Sequence, residues 1–436
     1  MDYFRFKSAA VFLLLGILFG IQTNAAGQCG FQATCPNTNY LNFGINSDND
    51  AKSIEYDNFT AGFHASTART ANGTYEIWGQ NMASNGTSSL LSPTVVNPAN
   101  FPGLTGNVLK VHIGSNSTNH QAVLLTTTGL FAWGSRGVVL ATALTTSTVF
   151  QKVTVDGQAN GLPAGINPED VKMMFVTRGT VAITTCTGDV YVLTQQSYNT
   201  GTGITSGVTN TWYRPEISAG VYLSDIIALR GQYQTLFALK SDGTLYTWGN
   251  QTYLGDNTAQ SQQSRPVAMT LPNPAGTIKM IGCTRRDAST SGISYYALYT
   301  DGNLYALGNN SNRQLGDWTT THARAWVQPQ YSNTSGDVMN NIHWISPQEH
   351  DHQYPSINVI TADSTIYTWG SSNNNMIGRG TGDEYNPGIP GGMSGSDKVL
   401  AVETGGHTSM LIKKCESYFG YVGHRISGSM GDGTNT

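Results

Sequence analysis

Residues 240–258 read KSDGTLYTWGNQTYLGDNT. Asp242-Gly243 is the signature of a two-residue hairpin turn, whose central positions need positive φ. A short strand follows and ends in Trp248-Gly249. Leu245 and Trp248 have opposite parity along that strand, so both faces carry apolar side chains. A second glycine, Gly255, comes a few residues later in LGDNT. One copy of this pattern would specify a hairpin and little more.

The pattern recurs along the chain. Residues 70–79 read TANGTYEIWG, 126–134 TTTGLFAWG, 299–308 YTDGNLYALG and 361–370 TADSTIYTWG. Degenerate copies stand at 184–194 (TTCTGDVYVLT) and 415–423 (CESYFGYVG). The strand-end positions are Trp78, Trp133, Val192, Trp248, Leu307, Trp369 and Val422, at spacings of 53 to 62 residues. The second half repeats as QLGDWT, MIGRGT and MGDGT. Another strand precedes each turn, as in HASTART from His64, HQAVLLT from His120 and HTSMLIK from His407. Self-similarity at a near-constant period points to a repeat architecture. A unit of about four short strands cannot bury two apolar faces alone, and radial stacking buries both. The expected fold is all-β: a seven-bladed β-propeller of about four-stranded antiparallel blades.

KSDGTLYTWGN and TDGNLYALGNNSNRQLGD resemble the repeat of the regulator of chromosome condensation family, which reads roughly G-x-x-H-x-x-A-L-x-x-D-G-x-L-Y-x-W-G-x-N-x-x-G-Q-L-G. The resemblance covers residues 52–434 and implies a seven-bladed propeller closed by strands from both termini. It also raises the family's role in nucleotide exchange on a nuclear GTPase with chromatin binding. Two features disfavour that role here: the N-terminal leader, and a balance of 23 Lys+Arg against 27 Asp+Glu, since nucleic-acid surfaces need a basic patch. A secreted bacterial β-lactamase inhibitor shares the propeller family, so the scaffold can serve purely to bind protein.

Only 11% of residues are Asp, Glu, Lys or Arg, about half the usual share. Gly is abundant at 50, and hydrophobic residues make up 39%. This composition suits a folded extracellular β protein. Arg5 and Lys7 precede the apolar run from Ala9 to Ile21, with small residues at Ala25 and Ala26. Residues 1–26 therefore read as a cleaved signal peptide, too short in its apolar part to span a bilayer. The expected location is the extracellular space or cell surface of a bacterial host. Residues 27–51 form a leader in which Cys29 and Cys35 are a candidate disulfide. Cys186 and Cys283 read as small buried hydrophobes.

The repeated residues read as structural. Gly79, Gly134, Gly249, Gly308 and Gly370 close the strand where a side chain would crowd a neighbour. Trp78, Trp133, Trp248 and Trp369 fill space between blades. His64, His120 and His407 share one register, which argues against catalysis. Departing from the repeat, residues 343–354 read HWISPQEHDHQY. His343, His350 and His352 could ligate zinc or copper there. Asn46, Asp48, Asp50 and Asp57 stand near calcium-loop spacing, but Ala51 replaces the required glycine. No G-x-S-x-G, H-E-x-x-H or GxxxxGK motif is present, and no cofactor is expected.

The linkers after each Trp-Gly segment vary in length and carry aromatics. Tyr198, Trp212, Tyr213, Trp318, Trp326 and Tyr331 could present a binding surface or pack over blade edges. The expected function is a monomeric binding module that uses a rigid ring to present loops to a protein or glycan, with no nucleic acid partner and no membrane span. The alternative is an extracellular carbohydrate-active enzyme, a glycosidase or lyase, which would need paired carboxylates at the ring centre.

Overall fold

The computed structural model describes residues 50–435, apart from 71–72, 117–118, 136–147, 287–291, 352, 383 and 414–418. The chain folds as a seven-bladed β-propeller, each blade an antiparallel sheet whose strands pair in sequence order. The first strands of the blades are Phe59–Ala61, Val108–Asn116, Val171–Val176, Ile226–Gln232, Ile278–Arg285, Ile342–Pro347 and Val399–Thr404. Each lies against the first strand of the next blade, and the seventh lies against the first, which closes the ring. Blades 1, 2, 4, 5 and 6 have four strands, and blades 3 and 7 have three. All seven strand-end positions expected from the repeat fall in the third strand of a blade.

The repeated tryptophan joins neighbouring blades. Trp78, Trp133, Trp248 and Trp369 are each at most 1% exposed. Each indole N–H crosses to a carbonyl in the preceding blade's linker: Trp133 to Met82 at 2.9 Å, Trp248 to Asn199 at 2.9 Å and Trp369 to Gln314 at 2.9 Å. An apolar ring fills the gap while its one polar atom finds a partner.

The glycine after it has a mechanical reason. Gly79, Gly134, Gly249, Gly308, Gly370 and Gly423 adopt φ between 99° and 124°. A Cβ at any of them would come within 3 Å of the carbonyl oxygen of His64, His120, Gln234, Ile293, Pro355 or His407 respectively. In five of these blades the residue after the glycine donates its backbone N–H to that same carbonyl. The histidine register therefore supplies a carbonyl rather than a ring, and Gln234, Ile293 and Pro355 serve equally well. The second glycine backs onto the next blade: Gly316 onto Trp369 and Gly431 onto Trp78.

Two expectations need correction. No sheet among the described residues mixes strands from both termini. Closure comes instead from the C-terminal tail, where Ser429 gives its carbonyl to Trp78 Nε1 at 3.1 Å and Gly433 donates to Leu91. Cys186 is half-buried and disulfide-bonded rather than a buried thiol; its partner lies outside the described residues. Cys283 is the buried free thiol expected. Cys29 and Cys35 lie outside the described residues.

Residues 50–58 do not pack beside the ring. They run into its centre. Asp50 caps the short 3-10 turn Ala51–Ser53, while Asn46 and Asp48 lie outside the described residues. Ile54 is fully buried among blade 5 and 6 side chains. The Lys52 carbonyl accepts from Lys172 Nζ at 2.6 Å, and Tyr56 Oη accepts from the Ile281 N–H at 3.1 Å.

Candidate functional site

A propeller offers three places for chemistry: the central channel, the loop faces and the blade edges. The channel holds a buried group of charged side chains. Arg230, on the first strand of blade 4, makes a bidentate pair with Asp57 at 2.8 and 2.9 Å. Its Nε donates to Glu349 at 2.7 Å. Glu349 also accepts the Cys283 N–H at 2.9 Å. His112 and His350 stand 3.6 and 3.4 Å from Asp57. The Arg230 guanidinium outweighs burial and holds Asp57 well below the usual carboxylate range. Burial pushes Glu349 and Glu403 up, and pushes His112 down to about 3.

The segment read as a possible metal loop is the other half of this plug. It leaves blade 6 after Pro347 and crosses the axis. His350 Nδ1 donates to the Val176 carbonyl of blade 3 at 3.0 Å, and the His350 carbonyl accepts from Ser115 of blade 2 at 2.8 Å. Gln232 of blade 4 donates to the Asp351 carbonyl at 2.7 Å. His343 lies at the far end of its strand beside Lys279, 3.3 Å from Nζ, and His352 lies outside the described residues. His343 and His350 sit at opposite ends of the strand Ile342–Pro347 and do not gather. Among the described residues, no three His, Cys, Asp or Glu side chains form a ready metal cage.

Carboxylates do stand at the ring centre, as the enzyme alternative requires. Asp57, Glu349 and Glu403 are nevertheless engaged: the first two with Arg230, the third with Ser346 Oγ at 3.0 Å. The cavity beside Asp57 and Arg230 measures about 20 Å³, space for a single water.

The linker aromatics are dispersed, and several pack inward. Trp212 is 9% exposed and donates its indole N–H to Gly161 at 2.9 Å, so it belongs to the packing between blades 2 and 3. Tyr213 exchanges backbone hydrogen bonds with Val192, replacing the missing fourth strand of blade 3. Trp326 donates to Thr270 at 2.7 Å and Trp318 to Gln330 at 3.1 Å, both half-buried. Tyr198 sits half-buried in the short turn Ser197–Thr200, whose Asn199 serves Trp248. Tyr331 meets Tyr367 edge-on at 5.0 Å. The two line an open pocket of about 260 Å³ with Asn340, Asn341 and Asp363.

A different surface stands out. Glu216–Ser218 and Val221–Tyr222 form a small hairpin outside the seven blades. It lies along the outer strand of blade 4 and is pinned by fully buried Leu223. Arg265 pairs with Glu216 at 2.5 Å. Arg214 lies over the Tyr222 ring at 4.2 Å and pairs with Asp189. Ile217, Val221 and Tyr222 are 37%, 54% and 45% exposed, and they make up three of the five exposed large hydrophobics among the described residues. The sequence reading named this linker but chose its tryptophan. The alternation in EISAGVY was the available signal.

No family model and no curated protein matches the chain. Solved structures do. Human WBSCR16 is 17% identical with a TM-score of 0.56, over 84% of this chain and 86% of that one. Prp20p from Saccharomyces cerevisiae, whose structure was reported with its binding to Gsp1p and histones, is 17% identical with a TM-score of 0.56, over 85% and 83%. Yeast RCC1 (Prp20) bound to Kap60 is 16% identical with a TM-score of 0.55, over 85% and 81%. The structural neighbours therefore include RCC1-family propellers, and the likeness shows the fold.

Proposed function

We propose that this protein is an exported, monomeric binding module that engages a protein partner through the hairpin at residues 216–222. The carrying observation is the concentration of exposed apolar side chains there, on a scaffold that otherwise buries them. Aliphatic Ile217 and Val221 offer nothing to sugar hydroxyls, whereas an apolar patch beside Arg and Tyr is typical of protein interfaces. Structural neighbours are described in complexes with proteins, which lends analogy only. The leader, the low charge and the disulfide at Cys186 favour an oxidising compartment. A binding role fits a channel in which Asp57, Glu349 and Glu403 are held by Arg230 and Ser346.

A photo-crosslinking residue at position 222 of the full chain, in its native host, should capture one protein species. That purified protein should bind the wild type and bind Val221→Asp at least about 10-fold more weakly, with the same thermal midpoint. Unchanged affinity in Val221→Asp overturns the reading. Loss of glycan binding in Tyr331→Ala alone would favour the Tyr331–Tyr367 pocket as a sugar site instead.

A further inference from the structure

Blade 6 departs from blades 4 and 5 at the turn between its second and third strands. In blades 4 and 5 the aspartate of that turn serves the turn itself. Asp242 Oδ1 accepts from the Thr244 N–H at 2.9 Å, and Asp301 Oδ1 from the Asn303 N–H at 2.9 Å. In blade 6 the corresponding N–H, on Thr365, goes to Thr361 Oγ1 at 3.0 Å. Asp363 is thereby released from the turn. Its carboxylate is held by the Thr361 hydroxyl, by Thr365 Oγ1 at 3.0 Å and by Lys398 Nζ at 3.0 Å, yet its side chain stays 60% exposed.

The released carboxylate lines the open pocket of about 260 Å³ with Tyr331 and Tyr367. The two half-buried rings meet at 61° and form a corner. Tyr331 Oη donates to Asn341 Oδ1, which fixes the ring and leaves the amide hydrogens of Asn341 for another acceptor. Asn340 and Asn341 are both exposed. We propose that this pocket, at the seam of blades 5 and 6, binds a single neutral pyranose residue.

A pyranose presents a face of C–H bonds and a rim of hydroxyls. The C–H face stacks on the negative face of an aromatic ring, here offered by the tyrosine corner. The rim needs placed acceptors and donors, here Asp363 and the amides of Asn340 and Asn341. Aromatic rings with a few convergent polar groups are the usual make-up of a small-ligand site. The volume falls just below the range of about 300–1,000 Å³ for drug-sized ligands, which limits the occupant to one ring. Apart from the tyrosines every lining residue is polar, a poor match for an apolar peptide. The Thr361 hydroxyl and Lys398 hold Asp363 below the usual carboxylate range, so it is ionised at neutral pH and repels uronic and sialic acids. Two rings and a carboxylate also suit a quaternary ammonium, but Lys398 already supplies Asp363 with a cation. The pocket shares no residue with the hairpin at 216–222, so a sugar bound here leaves that surface free.

Saturation-transfer NMR on the full chain would use methyl β-galactopyranoside, methyl α-mannopyranoside, methyl β-glucopyranoside and N-acetylglucosamine, with N-acetylneuraminic acid and choline as controls. At least one of the neutral sugars should receive saturation, strongest on the protons of one ring face. Tyr367→Ala and Asp363→Asn should each weaken its binding at least about 10-fold, the loss of one stacking face or one charged hydrogen bond. Asn340→Ala, at an exposed position, should weaken it about 3-fold or more and decides the matter if the other variants do not fold. Val221→Asp should bind the sugar as wild type does. Transfer to none of the neutral sugars, transfer to N-acetylneuraminic acid or choline in their place, or unchanged binding in Asn340→Ala overturns the site. The hairpin reading is tested by its protein partner and stands or falls separately.

Discussion

Trp78 of the first blade donates its indole N–H to the carbonyl of Ser429, 351 residues later, at 3.1 Å. It is the same bond that Trp133, Trp248 and Trp369 make within the chain. The ring therefore closes by the rule that builds each of those junctions.

Trp248→Ala should cost roughly 3–5 kcal/mol in urea unfolding, as large aromatic truncations in cores do. Trp78→Ala should cost a similar amount. Combined with deletion of residues 424–436 it should cost less than the sum, because both remove one contact. Strict additivity would show that the tail does not close the ring through Trp78.

Gly249→Ala should prevent stable folding. The residue has φ of 117°, and a Cβ would collide with the Gln234 carbonyl. Strain of about 1–3 kcal/mol for the backbone adds to the clash. Gly243→Ala is the control, because its Cβ would meet no atom within 4 Å. It should cost only the left-handed φ, on the order of 1 kcal/mol.

Arg230→Met should destabilise by about 3–5 kcal/mol, because Asp57 and Glu349 would remain as buried carboxylates without their cation. Adding Glu349→Gln and Asp57→Asn should restore part of the loss. No recovery in the triple variant would mean that the arginine acts by packing alone.

His120 is 1% exposed, and burial holds its pKa at about 3, against 6.5 for an ordinary histidine. The depressed value means that the unfolded chain takes up the proton first. Its stabilising contribution is complete above pH 6.5 and is lost as pH falls toward 3. In that window each such histidine adds about 1.4 kcal/mol of slope per pH unit. His120→Gln, measured in EDTA between pH 6.5 and 4, should flatten the stability profile by about that amount. An unchanged slope would show that His120 is already protonated.

The blades were legible because every junction imposes the same demand. The strand-end residue is tryptophan in four blades and the glycine recurs in six, and such recurrence survives in a single sequence. The plug was not legible for the opposite reason. Arg230, Asp57 and Glu349 each occur once, separated by 173 and 119 residues, with no period to connect them. The histidines of HWISPQEHDHQY drew notice as ligands, yet their neighbour Glu349 carries the main bond. Trp212 shows a third limit. A linker aromatic looks the same in sequence whether it faces solvent or finds a carbonyl such as that of Gly161 inside. The short hairpin at 216–222 is hard to read in the sequence, because Ile217 on one strand and the adjacent Val221 and Tyr222 on the other make a weak alternation.

Residues 51–57 precede every blade in the chain, yet their binding surfaces come from blades 2 to 6. The segment made first must therefore settle last, once at least five sheets stand around the axis. A folding chain would carry this peptide loose until the ring is nearly complete. Contacts this distant in sequence form slowly. Refolding should accordingly show a late phase, sensed by the environment of Tyr56 and missing when residues 51–57 are removed, in which the assembled ring draws in its own beginning and locks.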